Sequence, residues 1–140
     1  MFEPVKLEYT IQGNDFINAG EASSGTKKAL NRLGVAPAAV KRAAIAMYEA
    51  EINAVIHAGG GKAQAEIYPD HIIIKIIDQG PGIPAVSLAM TEGWSTAPNI
   101  AREMGFGAGM GLPNIKKHSD EMTLETAIGQ GTTVTITVRF

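Results

Sequence analysis

Four short stretches carry side chains whose types and spacing could do chemistry. The first is YEAEINAVIHA, in which Glu49, Asn53 and His57 recur every four residues. On a helix, residues at that spacing lie about 40° apart, so the three share one face. Asn53 offers a hard amide oxygen of the kind Mg2+ takes together with water. Glu49, one turn away, could accept a proton from an attacking hydroxyl. Taken alone, E-x-x-x-N is common by chance and describes a solvated face equally well, with Glu51 solvated on the opposite side.

The second stretch is DQGPGI, Asp78 to Ile83, directly after the most apolar run in the chain. A carboxylate there can accept a hydrogen bond from an exocyclic amine such as that of adenine. Gly80 and Gly82 would let backbone approach a flat ring, although an ordinary turn opening on Asp fits the same letters. The third, GFGAGMG, puts Gly105, Gly107, Gly109 and Gly111 before LPNIKK. It fails the G-x-G-x-x-G spacing, and no Walker A loop is present elsewhere. What remains is a run of amides leading into a helix N-terminus at Leu112, which favours an anion such as a polyphosphate. A ligand-free loop is the competing reading. The fourth, GQGTT, Gly129 to Thr133, reads by itself as a plain turn between strands.

These residues need a frame. VKLEYTI alternates as a strand, and Asp15 to Leu33 has loosely helical spacing closed by Gly34. Pro37 suits the first turn of a second helix running to about Ala58. KAQAEIY and HIIIKIID form a strand–turn–strand unit, and the second strand, apolar on both faces, is placed at the centre of the sheet. Pro84 to Glu92 is compatible with a short helix and Leu112 to Ser119 with another. MTLETA and TTVTITVRF close the chain as strands. The order β-α-α-β-β-α-loop-α-β-β predicts one α/β (α+β) domain over residues 1–140. It is a two-layer sandwich with a mixed, mostly antiparallel sheet and helices on one face.

Bulk composition narrows the function classes. The 140 residues are 45% hydrophobic and 19% charged, with net charge −2, which argues against a nucleic-acid groove. Without cysteine there is no disulfide, thiolate metal site or cysteine nucleophile. No leader-like start and no clean apolar span is present, so a cytoplasmic protein without membrane contact is expected.

The order E-x-x-x-N, D-x-G-x-G, G-x-G-x-G, G-x-G-T-T resembles the GHKL ATP-binding fold shared by gyrase B, Hsp90, histidine kinases and MutL. The resemblance covers nearly the whole chain. It implies ATP held between helices and sheet under a lid from about Ile83 to Gly111, ordered by nucleotide. It also implies that Asn53 holds Mg2+ and that Asp78 binds the adenine amine. Gly80, Gly82 and Ile83 would line the base pocket. Gly107, Gly109 and Gly111 would cradle phosphates and Thr133 would support the Asp78 region, with Gly105, Leu112 and Thr132 as further nucleotide-binding candidates. Glu49 would be the catalytic base, and Arg102 the cation for the γ-phosphate, in competition with Lys116 and Lys117. The size, with DQGPGIP, EGWST and GAGMGLPNIKK, is similar to the bacterial anti-sigma-factor and switch-type serine/threonine kinases. The implied substrate is a Ser or Thr of a small STAS-domain protein. A sigma factor is a further implied partner, and the Val5–Ile11 strand is a candidate edge for homodimer pairing. The alternatives are an ATP-dependent anti-sigma binding module and a simple ATPase, because the same Glu could activate water.

Overall fold

A computed structural model describes residues 3–13, 19–57, 60–79, 111–127 and 131–140. Within them the chain runs β1 (Val5–Gln12), α1 (Glu21–Arg32), α2 (Pro37–His57), β2 (Gly60–Ile67), β3 (His71–Asp78), α3 (Gly111–His118), β4 (Glu121–Ala127) and β5 (Gly131–Arg139). The expected Pro84–Glu92 helix, the lid from Ile83 and the first residues of the Asp15–Leu33 segment lie outside the described residues.

The five strands lie in the order β1-β2-β3-β5-β4, with β3 at the centre as its isoleucine run predicts. All four neighbouring pairs are antiparallel, at the antiparallel end of the mixed sheet read from sequence. The β1–β2 pairing follows from the helix count between them. One crossover helix would carry the chain back and make the strands parallel. Two helices, α1 out and α2 back, return it to where it left, so Gln12 pairs with Gly60. One rim of the sheet therefore carries Gln12, Gly60, Asp78 and Thr132, the last two paired across β3 and β5. The opposite rim carries a row of partners, Val5 to Ile67 to Ile72 to Val138.

Side chains alternate between the faces of a strand. Ile72, Ile74 and Ile76 of β3 are buried with Val134, Ile136 and Val138 of β5, under the helices. The other face carries Ile73, Lys75 and Ile77 beside Thr133, Thr135 and Thr137, and its isoleucines are only half-buried. The strand that reads as apolar on both faces is thus covered by helices on one.

α2 explains its own composition. It packs against β1, β2, β3 and β5 below and against α1 and α3 on its flanks. Ala39, Ala43, Ala46, Ala50 and Ala54 are all buried, and Ala63 and Ala65 of β2 are buried opposite. Small side chains on both sides let the helix backbone lie close to the sheet. α1 ends as Gly34 predicts. Gly34 takes φ +76°, its N–H donates to the Asn31 carbonyl, and the Val35 N–H donates to that of Leu30. Those two bonds make a Schellman close, which needs a residue comfortable in the left-handed region.

The start of α1 is secured from outside. Gly20, its N-cap, supplies no side-chain cap. Instead the Glu51 carboxylate of α2, only 3% exposed, accepts from the N–H groups of Gly20 (3.0 Å), Ala22 (3.1 Å) and Ser23 (3.1 Å). These are the donors that a helix start leaves without intrahelical partners. Glu51 is therefore not solvated, as its sequence position suggests. It is a buried anchor that ties α1 to α2.

Candidate nucleotide site

Glu49 and Glu51 leave α2 in nearly opposite directions, two residues being about 200° of rotation. Glu51 meets α1, and Glu49 meets α3. The Asn114 side chain and the His118 ring of α3 lie on the Glu49 side of α2 and both favour the ionised carboxylate. Burial pushes the Glu49 carboxyl above its ordinary value, against the opposing pulls of Asn114 and His118. A carboxyl so placed takes up a proton more readily than an exposed one, which suits a proton acceptor.

α2 and α3 run antiparallel. Arg42, near the start of α2, pairs with Asp120 just beyond α3 at 2.8 Å. Seven residues further along α2, about 10 Å, Glu49 meets Asn114, six residues earlier than Asp120. One more turn brings Asn53 level with the Gly111 end of α3. Asn53 is half-buried and shares the face of Glu49 that looks towards α3. The N-terminus of α3 presents amides and the positive end of a helix dipole there. Lys116 and Lys117 are exposed in the last turn of α3, at the opposite end from Gly111.

The sheet rim comes to the same place. α2 ends at His57, and β2 begins at Gly60, beside the end of β3. Asp78, the last residue of β3, shares the parity of Ile72, Ile74 and Ile76 and so faces the helices. The Thr132 N–H donates to Asp78 Oδ1 at 3.1 Å, and the Thr132 and Thr126 hydroxyls lie 2.9 Å apart. Gly131 permits this approach. It takes φ +108°, and a Cβ there would run into the Asp78 carbonyl. Thr133 is paired with Ile77 and belongs to the other face of the sheet. Thr133, expected to support the Asp78 region, is therefore turned to the other face, and its neighbour Thr132 is the threonine that meets Asp78.

Among the described residues Asp78 and Thr132 are in contact, and Glu49 and Asn53 share the α2 face towards α3, which starts at Gly111 and Leu112. Leu112 is buried and anchors α3 in the core. Gly80, Gly82, Ile83, Arg102, Gly105, Gly107 and Gly109 lie outside the described residues. Sequence reasoning missed Asn114 and His118. Their i, i+4 spacing on the helix after the glycine run was the available signal, and in the fold His118 Nδ1 lies 2.8 Å from the Asn114 carbonyl. Beside Glu49, on the side of α1, an open cleft of about 790 Å³ is lined by Tyr48, Ser24, Lys27 and Lys28 among others.

The sequence family described as histidine kinase-, DNA gyrase B- and HSP90-like ATPase matches residues 39–140. The chain belongs to this ATPase family. The match takes in nearly all of α2, the rim residues Gly60, Asp78 and Thr132, and α3. Among similar proteins, the serine/threonine-protein kinase RsbT of Bacillus subtilis (strain 168) is 36% identical over 97 residues, covering 66% of this chain and 67% of that one. The anti-sigma F factor of Clostridium beijerinckii is 32% identical over 101 residues, covering 68% of this chain and 67% of that one. The fold of this family member matches the mycobacterial sensor histidine kinase MprB with a TM-score of 0.53 over 96% of this chain and 97% of that one, at 18% identity. No helix among the described residues is long and apolar enough to cross a membrane.

Proposed function

We propose that this protein is a cytoplasmic ATP-dependent serine/threonine protein kinase of the anti-sigma or switch type, acting on a Ser or Thr of a small STAS-domain protein. The carrying observation is the placement of Glu49. It is half-buried, set against α3, one turn from Asn53, and it is among the residues lining an open cleft between α1 and α2. The similarity to a serine/threonine kinase and to anti-sigma F factors supports the same class.

The donor set fits Mg2+. Among the described residues no group of three or more His, Cys, Asp or Glu could cage a metal. Mg2+ is commonly held by one or two protein oxygens together with water and substrate phosphates. Asn53 would hold it, and when bound it would supply charge neutralisation for the phosphates. Asp78, fixed by the Thr132 N–H, would accept from the adenine amine, and the α3 N-terminus would favour the phosphates. Glu49 would take the proton of the attacking hydroxyl as the new O–P bond forms and the β–γ bridging P–O bond breaks, its electron pair leaving with ADP.

Incubation with γ-labelled ATP and candidate STAS-domain proteins tests this reading. Label on a Ser or Thr of a partner is the expected result. Release of free phosphate alone points to a simple ATPase, and retention of intact ATP in a complex with a sigma factor points to a binding module. In the same assay Asn53→Ala should lose Mg-ATP binding or turnover. Wild-type affinity and rate in that variant would overturn the site assignment.

A further inference from the structure

We propose that the exposed face of the three helices is the docking surface for an acidic protein, and that the substrate presents its acceptor hydroxyl beside a cluster of carboxylates. The inference rests on the reading of Glu49 as the acceptor of a partner's hydroxyl proton. Charge on the molecule is segregated. The helices expose Lys27, Lys28 and Arg32 on α1, Lys41 on α2, and Lys116 and Lys117 on α3. Among the described residues Glu21 is their one exposed carboxylate, since Glu49 is half-buried and Glu51 is buried against α1. Arg42 is already paired with Asp120. The outer face of the sheet is balanced instead. Lys6, Lys62, Lys75 and Arg139 stand there with Glu8, Glu66, Glu121 and Glu125, and Lys62–Glu8 and Arg139–Glu121 are ion pairs. The whole chain has a net charge of −2, so composition does not account for a face with six exposed cations against one carboxylate.

The cations also have an order. A helix rises about 1.5 Å per residue, so antiparallel neighbours can be set level from one shared contact. α1 and α2 meet at Gly20 and Glu51, which brings Lys27 level with Ala44, Lys28 with Ala43 and Arg32 with Ala39. α2 and α3 meet at Arg42 and Asp120, which brings Lys116 level with Ala46 and Lys117 with Ile45. All six cations therefore lie between Glu49 and the start of α2. Asn53 and the rim with Asp78 lie on the other side of Glu49. Glu49 stands at the boundary between a cationic field and the nucleotide end. Lys27 and Lys28 also line the cleft that Glu49 lines, together with Ile45 and Tyr48. A partner with its hydroxyl at Glu49 thus meets lysines with carboxylates on the order of 10 Å away, six residues of helix separating Glu49 from the level of Lys28. Segregated charge of this kind speeds encounter and fixes orientation more than it deepens affinity. A protein can place separate carboxylates on the lysines alone. A nucleic acid, charged along its whole length, would have to cross Glu21 and Glu49 in the same cleft, so the acidic protein is the better fit.

The probe is a panel of purified STAS-domain proteins whose surfaces range from acidic to basic. Each is tested for binding to the full chain loaded with a non-hydrolysable ATP analogue, and for labelling by γ-labelled ATP. Lys27→Glu with Lys28→Glu reverses the α1 wall, and Lys27→Gln with Lys28→Gln neutralises it. Lys62→Glu with Lys75→Glu is the control on the outer face of the sheet. We expect the acidic members to bind and take label. The α1 reversal should lower kcat/KM by about ten-fold or more, through KM, with kcat and ATP affinity within about two-fold of wild type. The neutral pair should lose about three-fold, and the sheet control less than about two-fold. Raising salt from about 0.01 to 0.1 M cuts the screening length from about 30 to 10 Å, and should weaken the wild type far more than the reversed variant. An unchanged KM in the reversed variant, or a loss matched by the sheet control, overturns the docking surface and leaves the kinase reading intact. Binding of a DNA duplex or of phosphatidylserine vesicles that the α1 reversal abolishes, with no panel member bound, overturns it in favour of a polyanion or a membrane. If an acidic member binds through the lysines and takes no label, the kinase reading falls and the docking surface stands. Absence of both binding and label across the panel overturns both.

Discussion

Replacing Glu51 by alanine tests whether α1 is held from outside. The side chain accepts three backbone N–H groups, two in buried surroundings and one half-buried. Each buried donor left without an acceptor costs about 1–3 kcal/mol, so the two buried ones alone give roughly 2–6 kcal/mol. Removing the carboxylate also returns the cost of its own burial, which brings the expected net loss to about 3 kcal/mol. With an unfolding entropy of about 2.1 cal/mol/K per residue, the 140-residue chain would lose about 10 °C in Tm. Glu51→Gln should lose about half as much. Its remaining oxygen can still serve Gly20 and Ala22, while its NH2 would face the Ser23 N–H without accepting from it. Urea unfolding at unchanged m, with thermal melts alongside, measures both variants. A Glu51→Ala protein within about 0.5 kcal/mol of wild type would refute the anchoring role, since that is the range of an ordinary surface substitution.

The site makes a prediction of opposite sign. Burial raises the folded-state pKa of Glu49, so ionisation opposes folding as pH rises through that value, and Glu49→Gln should be more stable than wild type at pH 7. The gain should vanish below the ordinary Glu range, where both side chains are neutral, as urea midpoints at pH 3 and 7 would show. Asp120 behaves conversely. The Arg139 N–H at 2.6 Å, and then Arg42, hold its carboxyl below 3.8. Its contribution is present above about pH 4 and lost as pH falls further. Asp120→Asn should flatten the acid side of a stability–pH curve, and an unchanged slope would exclude the pair as a cause. Gly131→Ala should cost at least about 2 kcal/mol, because φ +108° and the Asp78 carbonyl both reject a Cβ. ATP titration of that variant should show weakened binding, since Asp78 must move.

The elements were legible where one period dominates. The isoleucine run of β3, the alternation of β1 and β5 and the Pro37-to-His57 helix all follow from pattern. Gly34 announced the end of α1 by the single conformation that glycine accepts cheaply. Less was legible in the site. Glu49 and Asn53 were found because helical spacing forces them onto one face. Glu51 was misjudged because a lone Glu on a helix reads as solvated. Its burial depends on Gly20, Ala22 and Ser23, about thirty residues away, and on a helix start without a cap of its own. Asn114 and His118 were invisible for a related reason. Their importance lies in which face of α2 they meet, and that depends on the antiparallel setting of α2 and α3. The choice between Thr132 and Thr133 needed the register of β3 on β5, which a one-residue slip would reverse.

The row Val5–Ile67–Ile72–Val138 gives the sheet a polarity that is useful at the bench. Asp78, Gly60 and Thr132 crowd one rim, while β1 begins and β5 ends at the other. Val5 and Val138 stand three strand spacings apart, about 14 Å. A peptide of roughly six residues can bridge that distance. Tags, surface tethers or fluorophores at either end would stand clear of the nucleotide rim. The two ends can also be joined and the chain reopened at the Pro69–Asp70 turn between β2 and β3. Such a circular permutant would keep every strand pairing that places Asp78 beside Thr132.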